Sequence, residues 1–144
     1  MDGQNRTGDI QPYFFTGCAV VLDSEKRILL KKDPKRGWEL PGGDVESHES
    51  MPRAVVREVK EETGVDATIV SLLPGEYLGG TSVTRYFLMT AEVGAGGVAP
   101  DDKETAVKWM TPAEARQHIM QTTNTTGRKR DLAVLDTALA IRET

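Results

Sequence analysis

The chain contains a single cysteine, Cys18, so no internal disulfide can staple it. Cys18 lies in the apolar run GCAVVLD, where it reads as a small core residue of a protein kept in a reducing compartment. Long hydrophobic runs are lacking too: none approaches the ~20 residues a bilayer requires. The opening MDGQNRTGDIQ has no basic-then-apolar order of a secretory signal. These absences predict a cytoplasmic protein without membrane association, and they make the N-x-T sequons at Asn5 and Asn124 chance matches. An excess of positive charge is also missing. The net charge of -4 argues against stable nucleic-acid binding or attachment to anionic lipid, so an anionic ligand must be held by a local basic pocket. Histidine is scarce, with only His48, in a polar loop where solvent is its expected neighbour, and His118, on a helix surface.

What is present suits an ordinary folded chain: 144 residues with 38% hydrophobic and 28% charged content are enough for one core and one domain, 1–144. No repeat is visible, and the glycine-rich GAGG at 94–97 reads as a loop. CAVVLDSEKRILLKK predicts a hairpin turning at 24–26. DATIVSLLPGEYLGG and TSVTRYFLMTAEV predict two further strands hinged at Gly79 and Gly80, the first bent or edge-like because of Pro74. AVKWM is a short strand. TPAEARQHI opens a helix with Thr111 as cap, proline in the first position and Glu114 completing a capping box. RKRDLAVLDTALAI spaces Leu132, Leu135 and Leu139 as a helix. Strands and helices alternate unevenly, which predicts an α/β fold with a mixed sheet and helices on its faces.

The chemistry concentrates in REVKEE at 57–62. At about 100° per residue, a helix over 50–63 places Met51, Val55, Val56 and Val59 on one arc, the expected core face. Glu58, Glu61 and Glu62 occupy the adjoining arc, while Arg53, Arg57 and Lys60 gather on the far side. A salt-bridged solvent face would interleave the signs. Like charges at this spacing repel, and a carboxylate beside the apolar stripe is costly to leave unpaired. The segment is therefore either a solvated acidic surface or a cation site, and oxygen-only donors suit Mg²⁺ or Mn²⁺. Just upstream, Pro41, Gly42 and Gly43 mark backbone bent tightly or closely approached.

Gly43, Glu49, Arg57-Glu58, Val59, Glu61-Glu62, Gly64 and Val65 together spell G-x5-E-x7-R-E-U-x-E-E-x-G-U, with U aliphatic. This pattern resembles the signature of the Nudix hydrolases at every fixed position, and a softer likeness runs from WELPGG to the W-x-x-x-x-E-A of Trp109 to Ala115. The resemblance implies an α/β/α sandwich on a mixed central sheet. It implies hydrolysis of a nucleoside diphosphate linked to another moiety, with Mg²⁺ or Mn²⁺ as cofactor. By position, Glu58, Glu61 and Glu62 match the family's metal-binding carboxylates, the Gly43 carbonyl is a further ligand candidate, and Glu49 and Arg57 match residues that orient the loop and helix. The general base comes from the box helix, Glu58 or Glu61, or from a later loop, where Glu104 is the candidate.

Substrate identity is less sharply marked. Trp38, Tyr77 and Tyr86 are aromatic candidates for stacking a base, with core packing as the plainer alternative. Lys31, Lys32, Lys35 and Arg36 form one basic cluster, and Arg128, Lys129 and Arg130 another. If both frame the cleft, they favour a long polyphosphate such as a dinucleoside or diphosphoinositol polyphosphate; nucleoside triphosphates and ADP-sugars stay open, as do monomer and homodimer. A Nudix-fold regulator that binds nucleotide without turnover is the alternative of another class, against which the complete carboxylate set argues.

Overall fold

The run of aliphatic residues at 19–22 forces burial on both faces, and a strand with both faces covered sits at the centre of a sheet. In the computed structural model, which describes residues 14–98 and 106–143, this is β1 (Phe14–Leu22). It pairs antiparallel with β2 (Ile28–Asp33) and with β4 (Gly42–Asp44), and parallel with β7 (Ser82–Thr90). β2 in turn carries β3 (Gly37–Glu39) and β8 (Val107–Met110), while β7 carries β5 (Thr68–Leu72) and β6 (Tyr77–Gly79). The sheet is mixed, as expected.

Strand periodicity divides the apolar residues between two layers. Val20, Leu22, Ile28, Leu30, Tyr86 and Leu88 face Ala115 and Ile119 of α2 (Pro112–Met120) and Val134, Leu135 and Ala138 of α3 (Thr125–Glu143). Ala19, Val21, Leu29, Phe87, Met89 and Trp109 face Val55 and Val59 of α1 (Met51–Thr63). One helix covers one face and two cover the other, which gives the α/β/α order.

The helix ends follow local chemistry. Ser50 caps α1 by accepting from the Arg53 N–H at 3.3 Å, and Gly64 closes it in the left-handed region, φ 78°, with its N–H on the Lys60 carbonyl. Thr111 and Glu114 form the expected capping box of α2. α3 begins three residues before the predicted segment because the Asn124 side chain accepts from the Gly127 N–H.

Two expectations are corrected. The strand predicted across Pro74 is two strands, β5 and β6, because proline has no N–H for the ladder and Gly75 follows at φ 103°. Val56 is 37% exposed, and Ala54 takes its place on the buried arc of α1. Gly42 and Gly43 lie in a short strand, β4, and are closely approached as expected, and the 94–97 segment holds one 3-10 turn, Ala95–Gly97. No described helix is long and apolar enough to cross a membrane. Replacing Gly64 by Ala should lower stability by about 1 kcal/mol or more, since a side chain at positive φ is strained there; urea unfolding reads the change directly.

Candidate functional site

The acidic arc of α1 lies against β4 because β4 has almost no side chains to hold it off. A methyl group built on Gly43 would stand 1.8 Å from Oε2 of Glu58, so the carboxylate occupies the space a side chain would need. The neighbouring Gly42 N–H donates to Oε1 of Glu62 at 3.0 Å. Glu58 and Glu62 therefore both face the Gly42–Gly43 backbone. Burial, with the negative charges of Glu62 and Glu61 nearby, pushes the Glu58 carboxyl above its ordinary range, although Arg57 opposes this.

Arg57 holds the loop before the helix. Its Nη2 and Nε donate to the two carboxylate oxygens of Glu49, at 2.5 and 3.1 Å, and Nη2 also reaches the Asp44 carbonyl. The fork holds the Glu49 carboxyl down at about 2 and raises the guanidinium further. Glu49 also accepts from the Glu46 N–H. Glu61, 59% exposed at its side chain, turns to Arg57 Nη1 at 3.1 Å rather than towards β4.

Beside these carboxylates opens a cleft of about 170 Å³, lined by residues that include Lys31, Arg36, Glu39, Gly42, Tyr86, Arg128, Arg130 and Asp131. It is joined to the helix through Lys31, whose ammonium lies 3.4 Å from Oε2 of Glu62 and 3.5 Å from Oε1 of Glu39. Arg36 grips Glu39 with two hydrogen bonds. Arg128 donates to the Met120 and Thr122 carbonyls, and Nε of Arg130 is buried with no hydrogen-bond partner among the described residues.

Both basic clusters thus contribute to the cleft, yet not every predicted residue does. Lys32 and Trp38 lie outside its lining: the Lys32 ammonium sits 6.0 Å from the Trp38 ring, whose edge meets His118. Alternation along β2 explains this, since Lys31 and Lys32 point to opposite faces. Tyr86 lines the cleft but is buried, edge-on to Tyr77, with its hydroxyl on Asp131, so its ring offers no open face for a base. Glu104 falls outside the described residues.

Asp131 escaped the sequence reading. Only 8% exposed, it accepts the Tyr86 hydroxyl on Oδ1 at 2.6 Å and the Leu40 N–H on Oδ2 at 3.3 Å. The signal available was its place on the stripe Asp131, Leu135, Ala138 of α3, where an acid stands in an apolar row. Burial pushes its carboxyl from an ordinary 3.8 up to about 6, against the lowering effect of its two hydrogen bonds.

Family comparison agrees with this geometry. The family model of the NUDIX domain matches residues 15–132. A Streptomyces ambofaciens MutT-like protein is 33% identical over 105 residues, covering 72% of this chain and 68% of that one. A Bacillus subtilis protein provisionally named an 8-oxo-dGTP diphosphatase is 34% identical over 94 residues, 65% of this chain. The match spans 62% of that protein, somewhat under two thirds. The crystal structure of a NUDIX-family hydrolase from Clostridium perfringens superposes with a TM-score of 0.67 at 18% identity, covering 91% and 99% of the two chains, a likeness of fold. The fold and the box place this chain in a class of α/β/α proteins with a carboxylate-bearing helix against a glycine strand. The chain belongs to the Nudix family.

The raised Asp131 carboxyl has a stability consequence. A carboxyl that holds its proton more tightly when folded contributes stability that is present below its unfolded value, 3.8, and lost as pH rises through about 6. Between about pH 4 and about pH 7 the wild type should lose on the order of 2 kcal/mol relative to Asp131→Asn. Urea midpoints of the two proteins across that window test the sign.

Proposed function

We propose that this protein hydrolyses a phosphoanhydride bond of a nucleotide, a nucleoside diphosphate linked to a further phosphate or other moiety. The observation that carries the reading is the meeting of Glu58 and Glu62 with the backbone of Gly42 and Gly43, beside a cleft walled by Lys31, Arg36, Arg128 and Arg130. Acceptors for a cation and donors for phosphate stand side by side.

A divalent cation fits these residues. Their donors are all oxygen, which suits Mg²⁺ or Mn²⁺, and the crowding of Glu58 against Glu62 and Glu61 is relieved by positive charge. Among the described residues no three carboxylate, imidazole or thiol side chains already enclose a common point. We therefore assign the cation to Glu58 and Glu62 with the Gly43 carbonyl, Glu61 joining them when it leaves Arg57. Bound there, such an ion supplies neutralisation of the charge that develops on the phosphates and acidifies water.

The other roles belong to the chain itself. Glu49 and Arg57 lock the loop on the helix so that the acidic arc keeps its place. Glu58, on the acidic arc, is our candidate to accept the proton of attacking water. Arg128 and Arg130 offer positive charge to the phosphates. The name of the Bacillus relative, an 8-oxo-dGTP diphosphatase, favours a nucleoside triphosphate over the longer polyphosphates.

The test is a panel of nucleoside triphosphates, dinucleoside polyphosphates, ADP-ribose and diphosphoinositol polyphosphates, assayed with Mg²⁺ for released phosphate and pyrophosphate. Hydrolysis of none of them, by folded protein, would remove the enzymatic reading and leave a binding module. Glu58→Gln and Glu62→Gln should each lower turnover by about a hundredfold or more, the scale for losing a group that stabilises transition-state charge, with far-UV circular dichroism unchanged. Near-wild-type turnover in both would displace the site from α1. Millimolar Mg²⁺ or Mn²⁺ should also raise the melting temperature of the wild type and not of Glu62→Gln, since a ligand of the native state stabilises it by mass action.

A further inference from the structure

Lys31 occupies an unusual position between the carboxylate helix and the cleft. Its ammonium touches Glu62, on α1, and Glu39, its cross-strand partner on β3, and both contacts are long, 3.4 and 3.5 Å. The other oxygen of Glu62 is taken by the Gly42 N–H, so among the described residues Lys31 supplies the positive charge on the remaining side of that carboxylate. Glu39, by contrast, already has a strong partner, because Arg36 donates to both of its oxygens at 2.8 and 3.0 Å.

The local charge balance follows. Lys31 and Arg36 stand against three carboxylates, Glu39, Glu62 and Asp33, the last held by Arg36 at 3.1 Å. A cation drawn to Glu62 repels the ammonium from that carboxylate, while Glu39 keeps its two hydrogen bonds from Arg36. The ammonium so released belongs to a residue that lines the cleft.

We propose that Lys31 is a charge relay: it serves as the internal counter-ion of Glu62 when no divalent cation is there, and turns into the cleft to meet substrate phosphate when one arrives. The inference rests on the metal-dependent reading of the site and adds its regulation. Lys31 then couples the two bound species, so that the cation prepares the cleft for the anion and, by reciprocity, the anion strengthens the cation. Arg128 and Arg130 are there for phosphate at all times, and Lys31 adds its charge only after the metal.

The sign of two effects tests the relay. Mn²⁺ binding by the full chain without nucleotide, read by electron paramagnetic resonance, should be several-fold tighter in Lys31→Met than in the wild type, because the competing ammonium is gone. ADP binding at saturating Mn²⁺, read by calorimetry, should be several-fold weaker in the same variant. Lys31→Arg, which keeps the charge, should restore much of the ADP affinity. A purely structural role for Lys31 would not tighten the metal. Glu39→Gln pushes the other way: with its second partner weakened, Lys31 binds Glu62 more firmly and Mn²⁺ affinity should fall. This variant decides the question if Lys31→Met does not fold. Equal Mn²⁺ affinity in wild type, Lys31→Met and Glu39→Gln overturns the relay while leaving the metal site intact. Absence of Mn²⁺ binding in the wild type, or binding that Glu62→Gln does not reduce, overturns the metal site itself and the relay with it.

Discussion

The close approach of α1 to the sheet is the constraint on which the rest depends. Three glycines permit it. Gly17 of β1 lies under the helix, where an added methyl would stand 3.3 Å from Cβ of Val55, and its neighbour in the ladder, Gly43, leaves room for the Glu58 carboxylate. Gly42 carries φ 158° and would put a methyl 2.4 Å from the Gly17 carbonyl, so this pairing of β1 and β4 admits no side chain there. With the backbone bare, its polar groups are within reach of the helix carboxylates, and the N–H of Gly42 takes Glu62.

That approach sets the electrostatics. A helix with three acids in its last two turns would ordinarily present them to water. Here one edge of the arc is pressed on β4 and the other is held by Arg57, so the acids divide by environment: Glu58 is desolvated and its carboxyl raised, whereas Glu49, on the far side of the same arginine, is lowered to about 2. Two carboxyls on one guanidinium are thus driven apart in proton affinity, because one gains two strong hydrogen bonds and the other gains mainly burial and like charge. The structural and the chemical roles separate along that line.

The cleft beside them gathers residues distant in sequence. β2 contributes Lys31, β3 Glu39, β7 Tyr86 and α3 Arg128, Arg130 and Asp131. Strand pairing sets which of these meet: the register Lys31↔Glu39 builds the acid–base pair at the mouth, and the parallel pairing of β1 with β7 brings Tyr86 beside Cys18 and on to Asp131. A one-residue slip in β2 that brought Leu30 to the position of Lys31 would remove the link to Glu62.

Much of this was legible in the chain. The carboxylate helix, its Ser50 and Gly64 limits, the capping box at Thr111, the hairpin after β1 and the family pattern from Gly43 to Val65 all rest on spacing over a few residues, where side chains act on their own backbone and periodicity states which face is buried. Arg57 on Glu49 was likewise written in the motif. Other features lay beyond local reading. Trp38 and Lys32 carry the composition of a nucleotide site and stand outside the cleft, since strand alternation had to be combined with a pairing register to show it. Tyr86 became a buried donor instead of a stacking platform because Asp131, 45 residues on, came to meet it. The sequence by itself determined the elements, the acidic arc and the oxygen-only donor set, all consequences of neighbours within a turn or two. Only the tertiary structure decided that Gly42 meets Glu62, that Lys31 bridges Glu62 and Glu39, and that Asp131 is buried, because each depends on long-range packing that brings separate segments within hydrogen-bonding distance.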